Sequence, residues 1–124
     1  MLTSLKNYLL GEGFDGICID LMPPVETQLD AVGLFEWNNT MPDINDGTNT
    51  HYIQIQVRRT TYDAAKGDCS RILRLLDSGT EEKLIWLDDD VCCICRPRRG
   101  GILLERGGSY TTFYCEVAIW TTAN

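Results

Sequence analysis

The sequence predicts an α+β fold, a mainly antiparallel sheet of about four to six strands with two helices packed on one face. Three observations lead to it. Between Tyr52 and Leu76 the apolar pattern changes period once, so that a half-buried strand runs straight into an amphipathic helix. Only two segments carry helical spacing, while short alternating segments recur between turns rich in Gly, Pro and Asn. A doubly wound parallel sheet would need more crossover helices than that. With 124 residues the chain corresponds to a single domain, residues 1–124, long enough to bury roughly two thirds of the surface its unfolded form exposes.

In chain order, Leu2, Leu5 and Leu9 share one face of a first helix, with Tyr8 beside them and Gly11 and Gly13 as stop residues. Ile17, Ile19 and Leu21 then alternate with Cys18, Asp20 and Met22. That strand ends at Pro23-Pro24, where ladder donors are lost. A second strand is expected from Ala31 to Trp37, followed by a long loop from Asn38 to Thr50 rich in Asn, Thr, Asp, Gly and Pro. Loops of that length in a compact domain are usually functional or mobile, which makes this one a candidate contact arm with Asn39, Met41 and Asp43 as its contact residues.

The third strand places Ile53, Ile55 and Val57 on one face and Gln54, Gln56 and Arg58 on the other. In the helix after it, Tyr62, Ala65, Cys69, Ile72, Leu73 and Leu76 form one apolar side. Thr60 and Thr61 are suited to cap its start, Asp63 suits the positive end of its dipole, and Asp77-Ser78-Gly79 stops it. Lys83 to Leu87 reads as a short strand and Val91 to Cys95 as a better one, ended by Pro97 and Gly100-Gly101. Ile102 to Leu104 is a separate short segment. After Gly107-Gly108 comes a final strand in which Phe113, Cys115, Val117 and Ile119 oppose Tyr114, Glu116, Ala118 and Trp120.

Hydrophobic content of 44% with 23% charged residues is ordinary for a globular chain, and no run approaches the roughly 18 apolar residues of a membrane span. The first ten residues lack a basic leader and a long apolar stretch, so the six cysteines are expected as free buried thiols in a reducing compartment. A formal charge of −7, from 18 acidic and 11 basic groups, opposes nonspecific binding to nucleic acid. Acidic groups gather at Glu81, Glu82 and Asp88 to Asp90, and Arg96, Arg98, Arg99 and Arg106 follow soon after.

Each candidate site has a plainer reading beside it. Cys92, Cys93 and Cys95 lack the paired turns of a zinc site; on a strand Cys93 and Cys95 face one way and Cys92 the other, and core packing is the expected role of the run. His51, the only histidine, would have to serve any Cys/His hydrolase, with Cys18, Cys69 or Cys115 as its partner; the alternative is a surface or strand-edge histidine. Asp43 to Gly47 lacks the ligand spacing of a calcium loop, and Asp88 to Asp90 reads as a solvated edge or a partner contact. Arg96, Arg98 and Arg99 suit phosphate or carboxylate, and the acidic balance favours a protein partner. No cofactor fingerprint, metal set or catalytic signature is present, so no cofactor, metal or catalyst is expected.

The run from Tyr52 to Ala65, Tyr-Ile-Gln-Ile-Gln-Val-Arg-Arg-Thr-Thr-Tyr-Asp-Ala-Ala, with the helix closing at Leu76-Asp77-Ser78-Gly79, resembles minor capsid and tail-completion proteins of tailed bacteriophages. Arg96-Pro97 and the aromatic-rich last strand extend the likeness. Among them, tail terminators imply an α+β subunit that forms a ring, typically a hexamer, capping the tail tube at the head-tail junction. The resemblance thus implies a non-enzymatic virion protein assembled in a bacterial cytoplasm, with further copies of itself, the tail tube and head-completion proteins as partners. DNA contact is implied only within a ring bore. Acidic and basic segments on one chain can also pair head to tail, which predicts contact between Asp88, Asp89 or Asp90 and Arg96, Arg98 or Arg99 of a neighbouring copy. The rival from another class is a small cytosolic binding module using Tyr110, Tyr114 and Trp120 on an open sheet face.

Overall fold

The computed structural model of this chain describes residues 1–37 and 48–122. The described elements run α1 (Leu2–Gly11), β1 (Ile17–Ile19), β2 (Ala31–Trp37), β3 (Thr48–Arg59), α2 (Tyr62–Leu75), β4 (Ile85–Trp86), β5 (Cys92–Arg106) and β6 (Thr111–Thr122). The six strands form one sheet in the order β1-β2-β3-β6-β5-β4. Every pairing is antiparallel except β1 with β2. The fold is α+β, as the period switch predicts.

The odd residues of β3, Ile53, Ile55 and Val57, are fully buried and face their register partners Val117, Cys115 and Phe113 of β6. Leu5 and Leu9 of α1 and Ala65, Cys69 and Ile72 of α2 join the same buried cluster, so both helices lie on this one face. Helix α2 begins as its sequence requires. Thr61 is extended and its hydroxyl accepts from the Ala64 amide at 3.1 Å, with Asp63 in the first turn. Beyond the helix, Gly79 adopts φ +72, and Ser78 exchanges hydrogen bonds of 2.8 Å with the backbone of Cys95, fastening the helix exit to β5.

Four expectations are corrected. The first strand stops at Ile19 rather than reaching Leu21, because Asp20 turns the chain with φ +62. It also runs parallel to β2 instead of forming a hairpin-like pair. The return segment is tied down by Arg58, whose buried guanidinium donates to the carbonyls of Leu29 (2.8 Å), Pro23 (2.6 Å) and Gln28 (2.6 Å). Third, β3 starts at Thr48, which shortens the expected loop by three residues.

The fourth correction concerns β5. It does not end at Pro97 or Gly100-Gly101, and Ile102 to Leu104 is part of it rather than a separate segment. Register shifts after Pro97, Arg99 and Leu103 absorb extra residues opposite β6. Strand β4 covers only Cys92 and Cys93, narrower than the expected Lys83 to Leu87 strand. Hence β5 is an edge strand from Ile94 onward, and there a proline lacking its N–H is tolerated.

Candidate functional site

The exposed stretch of β5 is the most distinctive surface of the chain. Arg96, Arg98, Arg99 and Arg106 are exposed along it, and Ile102, Leu103 and Leu104 retain 36, 45 and 50% of their accessible surface. Pro97 and the three register shifts make this edge a poor template for ladder extension by another strand. Those protective devices do not account for three consecutive exposed aliphatic side chains, which offer a contact made by side chains.

Each arginine also has a partner within the subunit. Arg96 bonds Glu82 at 2.8 Å, Arg99 lies 3.4 Å from Glu116, the Arg98 guanidinium sits 4.7 Å from the Tyr52 ring centroid, and that of Arg106 sits 5.1 Å from the Tyr62 ring centroid. The ion pairs are weak, since Arg96 and Arg99 remain 44 and 60% exposed. A guanidinium carries five donors, so these contacts leave capacity for a second carboxylate.

The acidic triplet is less uniform than its sequence suggests. Asp88 is a turn anchor: its Oδ1 accepts from the amides of Asp90 and Val91, both at 2.9 Å. The Ser4 hydroxyl, together with these amides, holds its carboxyl below the usual carboxylate range. Asp89 and Asp90 are exposed on the same turn, at the end of the edge that carries the arginines. Asn39, Met41 and Asp43, and with them the Asp43 to Gly47 run, lie outside the described residues.

His51 is half-buried, and its ring contacts are with Glu36 and Thr121. Its Nδ1 lies 2.6 Å from Glu36 Oε2 and its Nε2 lies 3.5 Å from Thr121 Oγ1, while Cys69 and Cys115 hydrogen-bond each other. His51 and Thr121 line a cleft of about 340 Å3 together with Met1, Trp86, Asp90, Val91 and Cys92. The short Glu36 contact orients the ring, and the Thr121 contact is a long hydrogen bond. Sequence reasoning missed the Glu36 partner. The available signal was parity, since His51 shares the inward parity of Ile53, Ile55 and Val57.

All six cysteines are free thiols, with Cys69, Cys93, Cys95 and Cys115 buried as expected and Cys18 and Cys92 partly exposed. Donating to Cys69, together with burial, pushes the Cys115 thiol well above its ordinary range, and donating to Cys93, with burial, does the same to Cys95, while the accepting partners Cys69 and Cys93 are lowered. Thiolate is the reactive form, so Cys95 and Cys115 are inert, and Cys69 and Cys93 are shielded by their burial. Iodoacetamide applied to the native protein is therefore expected to label Cys18 and Cys92, and all six only in denaturant; early labelling of Cys95 or Cys115 by peptide mapping would contradict the packing. Among the described residues no cluster of three His, Cys, Asp or Glu is arranged to hold a metal ion.

The opposite sheet face is open and aromatic. Tyr52, Gln54, Gln56, Tyr114, Glu116 and Trp120 are half-buried there, and Trp37 stacks at a tilt on Tyr52 with centroids 6.0 Å apart. Tyr110 stands at the Arg58 end, donating its hydroxyl to Glu105 at 2.6 Å. No helix among the described residues is long and apolar enough to cross a membrane. Neither a protein-family model nor a curated protein sequence matches this chain.

Proposed function

We propose that this chain is a non-enzymatic structural subunit of a tailed bacteriophage, a tail terminator or related minor capsid protein that forms a ring capping the tail tube at the head-tail junction. The observation that carries the assembly part of the reading is the β5 edge, where Ile102, Leu103 and Leu104 stay exposed beside a row of arginines. The phage setting rests on the likeness of the Tyr52 to Gly79 segment. In this reading copies of the chain associate through side chains on the β5 edge. The ring then offers its two faces to the tail tube and the head-completion proteins, and DNA passes through its bore.

Light scattering of the purified chain across concentration tests this. The expected result is a discrete oligomer, of hexamer mass for a six-fold ring, that appears as closed rings in electron micrographs. Leu103→Lys with Leu104→Lys is expected to reduce that species by roughly tenfold at fixed concentration, since these changes remove apolar contact area and place charge in the interface. A monomer at every concentration would overturn the proposal. It would favour the second reading, a binding module that uses the open aromatic face around Trp37, Tyr52 and Trp120.

A further inference from the structure

We infer that the acidic surface receiving the β5 arginines of a neighbouring copy is the opposite edge of the sheet, around β1, rather than the Asp88 to Asp90 turn. This rests on the assembly reading above and specifies its contact. Charge is segregated along the chain. Between Asn7 and Val57 there are eight acidic residues and no lysine or arginine, whereas every basic residue except Lys6 follows Val57.

The sheet order converts that segregation into geometry. Strand β1 lies at one edge, with exposed Asp15 before it, Asp20 directly after it, and Glu26 and Asp30 in the segment that returns to β2. Asp30 is held beside the start of β1, because Gln28 Nε2 donates to the carbonyls of both Gly16 (3.1 Å) and Asp30 (3.0 Å). Exposed Leu21 supplies an apolar group next to these carboxylates, as Ile102 to Leu104 do beside the arginines.

Four strand steps separate β1 from β5, about 19 Å at the usual spacing, so a subunit's arginines do not reach its own β1 carboxylates. Two complementary surfaces on opposite edges of one molecule make a heterologous contact, which closes into a ring when the rotation between copies permits. The Asp88 to Asp90 turn, by contrast, lies on the same side of the sheet as the arginines. A contact between that turn and a neighbour's arginines brings the same edge of two copies together, where it is satisfied reciprocally in a two-fold pair without going on to a ring.

The test is an exchange of charge between edges. One variant carries Arg98→Glu and Arg99→Glu; the other carries Asp15→Arg and Asp30→Arg. Each alone opposes like charges across the contact and is expected to lower the oligomer by roughly tenfold or more by light scattering. Mixed in equal amounts they are expected to restore it, because acidic and basic edges then alternate around the ring.

Thermal unfolding of each variant confirms that it folds, and Arg98→Gln with Arg99→Gln, which removes charge without repulsion, is expected to give an intermediate loss. Variants that assemble like the original chain, or a mixture that stays monomeric, would overturn the inference while leaving the assembly reading in place. So would rescue by Asp89→Arg with Asp90→Arg in place of the β1 changes. An original chain that never assembles defeats the assembly reading itself.

Discussion

Arg58→Ala is expected to destabilise the chain by about 3–5 kcal/mol, because it leaves three carbonyl oxygens without their charged donor. The side chain is 6% exposed and forks between Leu29, Pro23 and Gln28. Its guanidinium also lies 5.9 Å from the Tyr110 ring centroid, joining the start of β6 to the same segment. Without it the return from β1 to β2 loses its main tie to the sheet. A parallel pair of strands cannot be closed by a tight hairpin and depends on such a connection. Urea unfolding measures the effect, and a loss below about 1 kcal/mol would show that the segment holds itself. Arg58→Lys is expected to recover little, since one ammonium does not reproduce the planar fork.

Gly16→Ala is the second large effect, expected at about 2–5 kcal/mol. Gly16 adopts φ +68, and a β-carbon placed there would sit 2.6 Å from the Asp30 carbonyl oxygen and 2.9 Å from Gln28 Nε2. Side-chain movement of Gln28 relieves one conflict. The other is with backbone, and the Gly16 carbonyl must also keep its 3.0 Å bond from the Val32 amide that starts the β1–β2 pairing. The same substitution is expected to weaken assembly, because it displaces the Asp15 and Asp30 carboxylates at that edge. Thermal unfolding and light scattering on one sample separate the two consequences; unchanged stability would mean that the β1 entry relaxes freely.

The sequence was most legible where structure follows from periodicity. Strand β2 spans the predicted residues, β3 buries the predicted apolar face, although Arg58 on its polar face is buried as well, and α2 starts after Thr61 because a threonine hydroxyl next to a helical apolar pattern is a local cap. That Cys93 and Cys95 share one side was legible for the same reason; that this side is the buried one was not. It misled at β5, where Pro97 and Gly100-Gly101 are punctuation in most strands but are absorbed by bulges at an edge. The arginines and the aspartate triplet were legible as opposite charges. Their placement on one side of the sheet was not.

The sequence by itself determined the α+β class, the single apolar face shared by β3 and β6, and the capped helix that covers it, since each depends on neighbours within a few residues. Only the tertiary structure decided that β1 runs parallel to β2, that β5 continues as an exposed edge, and that His51 meets Glu36 across strands. These depend on which segments become neighbours across the sheet, and the charge and hydrophobicity of one segment do not specify the strand beside it. The two edges acquired opposite character in that step, when the sheet order carried β1 and its acidic surroundings, within the Asn7 to Val57 stretch free of lysine and arginine, to one side and the β5 arginines to the other.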